Sequence, residues 1–329
     1  MLPEFPQFPT MSSEFALINR YFKRPLTHTV LGAGDDGAIV KAAPGRELVV
    51  STDMLIAGTH FLPDAVPESL GWKTLAVNVS DMAAMAAEPR WALLAVALPE
   101  VDEPWIAAFA NGFFACAEAF GVDVIGGDTT RGPMAFCVTI FGEVPDGQAL
   151  LRSGAQPGDE IWISGTPGLA ALGLAHLQQR CVLNPTAQIA CLAALHRPLP
   201  RIALGLALRG MAHAAIDVSD GVLADLGHIL EASKVAATVY LEQLPQAACN
   251  TGVEHTLATD CLLSGGDDYE LLFMASATRH TEIIALSERL QLALTCIGTI
   301  DSGTAGELSL MDSAGKPVPF DKRGYDHFK

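Results

Sequence analysis

The chain has 329 residues, 50% of them hydrophobic, and a formal net charge of −17. That length accommodates two domains of ~100–200 residues, each with a sizeable core. The acidic balance excludes a nucleic-acid binder, which needs a basic face against phosphates, but not a protein that binds small phosphorylated molecules through divalent cations.

The seven cysteines are odd in number, form no C-x-x-C pair and lie mostly in apolar runs, which reads as free thiols in a reducing compartment. Residues 1–10 contain prolines and a glutamate but no basic start and apolar core, so they do not read as a signal peptide. The apolar run at 91–98 is too short to cross a bilayer. A soluble, cytoplasmic protein without a membrane partner is expected.

Residues 12–22 predict a first helix, with Phe15, Leu17, Ile18, Tyr21 and Phe22 as its apolar stripe. A glycine-rich stretch at 31–40 follows, carrying the adjacent acids Asp35 and Asp36. Such neighbours repel unless water or a cation offsets their charge; taken alone, an exposed acidic turn is the plainer reading. Residues 47–52 predict a strand ending in Ser51-Thr52-Asp53. These three residues supply hard oxygens that suit Mg²⁺, and they equally suit a helix N-cap. His60, after a Gly-Thr pair, either contacts a phosphate or is structural.

Apolar residues at helical spacing predict a helix over 68–87. Asp81 sits inside it among alanines and methionines. If it faces inward it must be paired or bind a metal; otherwise Asp81 and Lys73 decorate the solvent side. A strand at 91–98, a helix at 105–120 and a strand at 122–125 come next. That last strand is expected to stop at Gly126-Gly127 and present Asp128, Thr129, Thr130 and Arg131, a combination that suits a metal–phosphate site. A further strand covers 135–143.

The turn-rich segment 145–159 marks a domain boundary, placing an N-terminal domain at 1–147 and a C-terminal domain at 148–329. The second domain opens with a strand at 160–164, the loop Gly165-Thr166-Pro167-Gly168 and a helix from Leu169, whose N-terminus is a weak candidate for holding an anion. A helix is expected at 199–211 and a strand at 214–218. Asp217, Ser219 and Asp220 then precede a helix from Val222, where Ser219 or Asp220 suits an N-cap. Residues 262–273 read as a polar turn with Asp267 leading into a strand. The aromatic tail, Gly324-Tyr325-Asp326-His327-Phe328, is expected to dock.

Each acid taken alone is explained by a turn or a cap. Their recurrence after apolar runs is the stronger signal, because ligands of α/β folds sit at the carboxyl ends of strands. Converging acids would need divalent cations between them, and acids bridged by Mg²⁺ suit phosphoryl transfer. No serine triad, cysteine–histidine nucleophile, zinc spacing or nicotinamide fingerprint competes.

Taken together, these motifs resemble the thiamine-monophosphate kinases of the aminoimidazole-ribonucleotide-synthetase-like superfamily. The matching stretches are Gly34-Asp35-Asp36, Ser51-Thr52-Asp53, 57–61, 75–85, 125–130, Arg152-Ser153-Gly154-Ala155, 216–221, 264–270 and 324–328, in the family's order along nearly the whole chain. The resemblance implies an α/β (α+β) fold of two domains. The N-terminal domain would have a mixed sheet with helices and form a homodimer through a barrel. It also implies ATP- and Mg²⁺-dependent phosphorylation of thiamine monophosphate to thiamine diphosphate. Carried over by motif, Asp36, Ser51, Thr52, Asp53, Asp81, Asp128, Asp217 and Asp220 would hold several magnesium ions. Gly127, Asp128, Arg152 and Ser219 would contact ATP, and His60, Asp267 and Tyr325 would contact thiamine phosphate. Two positions depart from the family: Asp267 stands where glutamate is frequent, and Ala86 where glycine is common.

The acceptor is a phosphate monoester, already anionic near neutral pH, so no general base or covalent nucleophile is expected. The alternatives are another ATP-dependent synthetase of the superfamily, or a non-catalytic protein that binds ATP and magnesium.

Overall fold

The structure, a computed structural model, describes residues 14–246, 252–320 and 324. The chain folds as α/β with two mixed sheets, the class expected from sequence. The first sheet has strand order β1-β4-β2-β3, from β1 (Arg46–Ile56), β2 (Glu88–Leu98), β3 (Asp123–Arg131) and β4 (Ala135–Pro145). Its helices are α2 (Pro67–Ala84) and α3 (Glu103–Phe120), and a short α1 (Glu14–Leu17) runs into a π turn at Ile18–Phe22. The described residues form two compact units, 14–41 with 52–75 and 90–140, and 42–51 with 76–89, 141–246, 252–320 and 324.

Two strands run further than their composition predicts. β1 continues through Ser51-Thr52-Asp53 to Ile56, and β3 continues through Gly126-Gly127 to Arg131. The glycines at 126–127 are therefore inside a strand and do not end it. β3 pairs in parallel with β2, Gly127 opposite Leu94, after a register irregularity at Ala92/Leu93. Gly127 has φ 154°, and a Cβ there would fall on the Leu94 carbonyl oxygen. Glycine thus allows the two backbones to approach where a side chain would part them.

Helix α3 starts and stops by its own sequence. The Asp102 side chain accepts from Trp105 N at 3.1 Å, and Gly121 closes the helix at φ 67°. It packs on α2 through two glycines: a Cβ on Gly71 would meet Phe109 O, and one on Gly112 would meet Glu68 O. Phe109 and Phe136 stack with centroids 4.6 Å apart, and Trp105 stacks on both.

Helix α2 ends in a left-handed residue that is not glycine. Ala87 N donates to Met82 O, Ala86 N donates to Ala83 O, and Ala86 has φ 55°. This is the helix-closing geometry that usually selects glycine. Ala86 carries a strain of about 1 kcal/mol that a glycine there would not.

The second sheet has order β10-β7-β9-β5-β8-β6. Its strands are β5 (Asp159–Ser164), β6 (Ala212–Asp217), β7 (Ala236–Tyr240), β8 (Leu271–Ser276), β9 (Leu294–Asp301) and β10 (Leu308–Met311). All neighbours are antiparallel except β10 with β7. One core gathers Ile161, Ile163, Leu172, Ile216, Leu226, Leu262 and Leu272 with residues of α4 (Leu169–Leu177), α5 (Pro185–His196), α7 (Val222–Ser233) and α8 (His255–Ser264). The other gathers Trp162, Leu204, Leu208, Phe273 and Leu286 with α6 (Ile202–Ala207) and α9 (His280–Leu290). The helix expected over 199–211 is only α6; Arg201 before it is drawn into an ion pair with Glu270.

Gly112→Ala is expected to force α2 and α3 apart and destabilise the protein by about 1–3 kcal/mol. Thermal unfolding of the variant against wild type reads this as a lowered midpoint.

Candidate active site

At the carboxyl end of β6 the chain makes a turn that is zipped to the segment before β8. Val218 N donates to Glu270 O (2.8 Å), Tyr269 N to Val218 O (2.8 Å) and Asp267 N to Ser219 O (2.9 Å). Gly266 lies on the Ser219 carbonyl, and Gly221 lies on the Ser264 backbone. This zipper brings Ser219, Asp220 and Asp267 side by side, with Asp217 buried at the strand end. Gly324 joins them: a Cβ there would meet Asp220 O and Ala224. The start of the tail is therefore seated on the Asp220 turn, whereas Tyr325, expected to contact substrate, lies outside the described residues.

The cap of α7 is not the one the sequence suggests. The N-cap position is Gly221, and neither Ser219 nor Asp220 caps the helix with its side chain. Instead Asp225, in the first turn, accepts from Ser219 N, Asp220 N and Gly221 N at 3.0, 3.0 and 3.1 Å, all through Oδ2. Asp225 is buried, and burial pushes its carboxyl up to about 7, against the pull of those amides. A helical apolar stripe with one acid gave no signal for this role; the run Ser-Asp-Gly four to six residues upstream was the available one.

The Ser51 hydroxyl donates to Asp81 Oδ2 at 2.5 Å. Burial pushes the Asp81 carboxyl above its ordinary value, while the Ser51 hydrogen bond and the charge of Arg152 pull it down. Asp81 thus faces inward and is paired. Lys73 is buried and Asp81 half-buried, so neither lies on a solvent face. The Arg152 turn is clamped by Ser233: its Oγ donates to Arg152 O and accepts from Gly154 N and Ala155 N. Ser233, at the end of α7, is a second residue that sequence reasoning missed.

Strand alternation splits the Ser51-Thr52-Asp53 triplet. Ser51 and Asp53 share one face of β1. Thr52 lies on the other, where its hydroxyl donates to Val138 O at 3.0 Å and meets Thr139 Oγ1 at 3.2 Å. The expectation that the three side chains form one donor set at a strand end does not hold, because β1 runs on through them. In the turn after β1, Ile56 N donates to His60 Nδ1 at 3.0 Å, with Gly58 at φ 80°. With Nδ1 accepting, a neutral His60 carries its proton on Nε2. Gly127 and Asp128 lie in β3 with Asp128 exposed, while Arg131 turns away to donate to Pro99 O at 3.2 Å. Asp35 and Asp36 form the exposed turn that is the plainer reading of their sequence.

The anion site considered at Gly165–Gly168 is already filled. Asp268, buried, accepts from Gly168 N at 2.7 Å and Ala170 N at 3.4 Å, so the α4 N-terminus binds the protein's own carboxylate.

Among the described residues no group of three or more histidine, cysteine, aspartate or glutamate side chains is arranged to hold a metal ion. The donors present still suit magnesium: they are hard oxygens, and the desolvated Asp81 carboxyl is a group that a cation would favour in its charged form. Magnesium commonly takes one or two carboxylates from protein and completes its shell with phosphate and water.

Two sheets covered by helices, with acids on and just after their strands and glycine-tight turns beside them, fit a class of nucleotide-using proteins. The chain matches the model of AIR synthase related protein, N-terminal domain, over residues 34–144 and the corresponding C-terminal domain over 156–310. It is 46% identical over 320 residues to the thiamine-monophosphate kinase of Salmonella typhimurium, covering 96% of this chain and 98% of that one. The crystal structure of thiamine-monophosphate kinase from Stenotrophomonas maltophilia superposes with a TM-score of 0.84 at 46% identity, covering 93% and 98% of the two chains. AaThiL complexed with AMPPCP and TMP superposes with a TM-score of 0.74 at 28% identity, covering 99% and 100%. The chain belongs to the thiamine-monophosphate kinase family.

Asp225→Ala leaves three amides of the Ser219–Gly221 turn without their acceptor. It is expected to lower stability by about 1–3 kcal/mol, measured by urea unfolding, whereas Asp225→Asn, which keeps one oxygen, loses less.

Proposed function

We propose that the protein transfers the terminal phosphoryl group of ATP to the phosphate of thiamine monophosphate, giving thiamine diphosphate and ADP. The observation that carries this reading is 46% identity to a thiamine-monophosphate kinase over nearly the full length of both chains. Transfer is direct and in line. The acceptor oxygen is anionic near neutral pH, so no residue serves as general base or covalent nucleophile, and the protein's task is to bring two polyanions together.

In this reading Asp36, Ser51, Thr52, Asp53, Asp81, Asp128, Asp217 and Asp220 hold magnesium, Thr52 from the face of β1 opposite to Ser51 and Asp53. Bound magnesium neutralises charge on the phosphates. Ser51 keeps Asp81 oriented through its hydroxyl. Gly127, Asp128, Arg152 and Ser219 take ATP, with Arg152 presented by the Ser233 clamp. His60, Asp267 and Tyr325 take thiamine phosphate. The N-terminal domain, 1–147, binds nucleotide and magnesium and forms the dimer, and the C-terminal domain, 148–329, completes the site.

A homodimer is supported by β1. Its outer residues Leu48, Val50, Met54 and Ile56 are 45%, 56%, 53% and 38% exposed, an apolar edge strand that a soluble monomer normally protects. A cytoplasmic location is supported by the free cysteines among the described residues. Among those residues no helix is long and apolar enough to cross a membrane.

The test is ADP formation from ATP and Mg²⁺ with and without thiamine monophosphate, the product being identified by mass. Thiamine diphosphate is expected only when all three are present. ATP binding with an inert acceptor would sink the assignment and favour another ATP-dependent synthetase or a binding protein. Asp81→Asn is expected to lower kcat by about 10²–10³-fold while the thermal midpoint holds; wild-type turnover would remove Asp81 from the metal set. EDTA is expected to stop the reaction, and excess Mg²⁺ to restore it.

A further inference from the structure

The segment between α8 and β8, Ser264-Gly265-Gly266-Asp267-Asp268-Tyr269-Glu270, holds two residues other than glycine in left-handed backbone: Asp267 at φ 69° and Tyr269 at φ 52°. Aspartate tolerates that region, but a bulky aromatic rarely adopts it. Such strain persists only where the surroundings over-determine it, and here they do. Glu270 accepts from Ser164 Oγ at 2.5 Å and from Arg201 through Nε at 2.6 Å and Nη2 at 2.5 Å. Leu271 N donates to Ser164 Oγ at 2.9 Å. The Asp268 carboxylate is held by the first turn of α4. Asp267 N and Tyr269 N are bonded to the Ser219 and Val218 carbonyls.

With residues 268 and 270 anchored, the Tyr269 phenol, 8% exposed, donates to Asp267 Oδ1 at 3.1 Å. A buried donor on a fixed backbone orients the carboxylate that the proposed function assigns to the acceptor.

We propose that Tyr269 is a positioning residue for the acceptor site: through its phenol it holds the Asp267 carboxylate in the orientation that meets thiamine monophosphate. The strained backbone, locked by Glu270–Arg201–Ser164 on one side and Asp268–α4 on the other, fixes the phenol in turn. This rests on the kinase reading above.

The experiment is steady-state kinetics and thermal unfolding of Tyr269→Phe, Asp267→Ala and the double variant, with ATP and thiamine monophosphate each varied. One hydrogen bond to a charged group corresponds to a change of roughly tenfold. Tyr269→Phe is expected to raise KM for thiamine monophosphate about tenfold, leaving KM for ATP and the thermal midpoint unchanged. In the Asp267→Ala background the same substitution is expected to be silent, because the phenol has no carboxylate to orient. An unchanged KM for thiamine monophosphate in Tyr269→Phe overturns the positioning role, as does an effect that persists in the Asp267→Ala background. A fall in thermal midpoint with both KM values raised also overturns it, since that is the mark of a general packing role. If the wild-type protein forms no thiamine diphosphate, the kinase reading falls and this proposal with it.

Discussion

Carboxylates that leave water must be given donors, and in this protein the donors are mostly the backbone amides of loops. Asp225 collects three amides of the turn after β6, and Asp268 collects two from the start of α4. Asp123 collects Thr27 N, His28 N and the Thr29 hydroxyl. Glu270 takes a serine and the fork of an arginine. An amide left unpaired in such a place costs about 1–3 kcal/mol, so each acid and its loop hold one another in a single arrangement. The loops beyond the strands, which would otherwise be the loosest parts of the fold, inherit the rigidity of the core.

The acids therefore differ by partnership more than by burial, since Asp217 at the end of β6 is as buried as the four that hold loops. Asp225, Asp268, Asp123 and Glu270 are buried and structural. Asp36 and Asp128 are exposed, and Asp81, Asp220 and Asp267 are half-buried, on the loops and strands that the first group steadies. The net charge of −17 is consistent with both. Preorganised groups of this kind suit a reaction whose chief obstacle is repulsion between substrates, because stabilising charge costs little reorganisation when its ligands are already fixed.

Much of the fold was legible locally. α2 and α3 announce themselves by apolar spacing, and α3 also by Asp102 and Gly121 at its ends. Where sequence pattern and structure differ, one cause recurs: glycine and small polar residues do not stop these strands. β1 runs through Ser51-Thr52-Asp53, and β3 through Gly126-Gly127, because partner strands accept them, and at Gly127 closeness to Leu94 requires the missing Cβ. Alternation then puts Thr52 on the opposite face from its neighbours, which a triplet read as a unit cannot show. The structural acids were not separable from the others, since their partners are 100 residues away in one case and within a turn in another.

By itself the sequence determined the class of fold and the family, because these follow from periodicity, composition and motif order along the chain. Tertiary structure alone decided which carboxylates are spent on holding loops and which stay available. It also decided that Asp225 rather than Ser219 or Asp220 collects the amides of the α7 turn, and that Tyr269 is bent into left-handed backbone beside Asp267. The reason is that burial and hydrogen-bond partnership are properties of what surrounds a residue in space, whether the partner lies 100 residues away, as for Asp268, or four to six, as for Asp225.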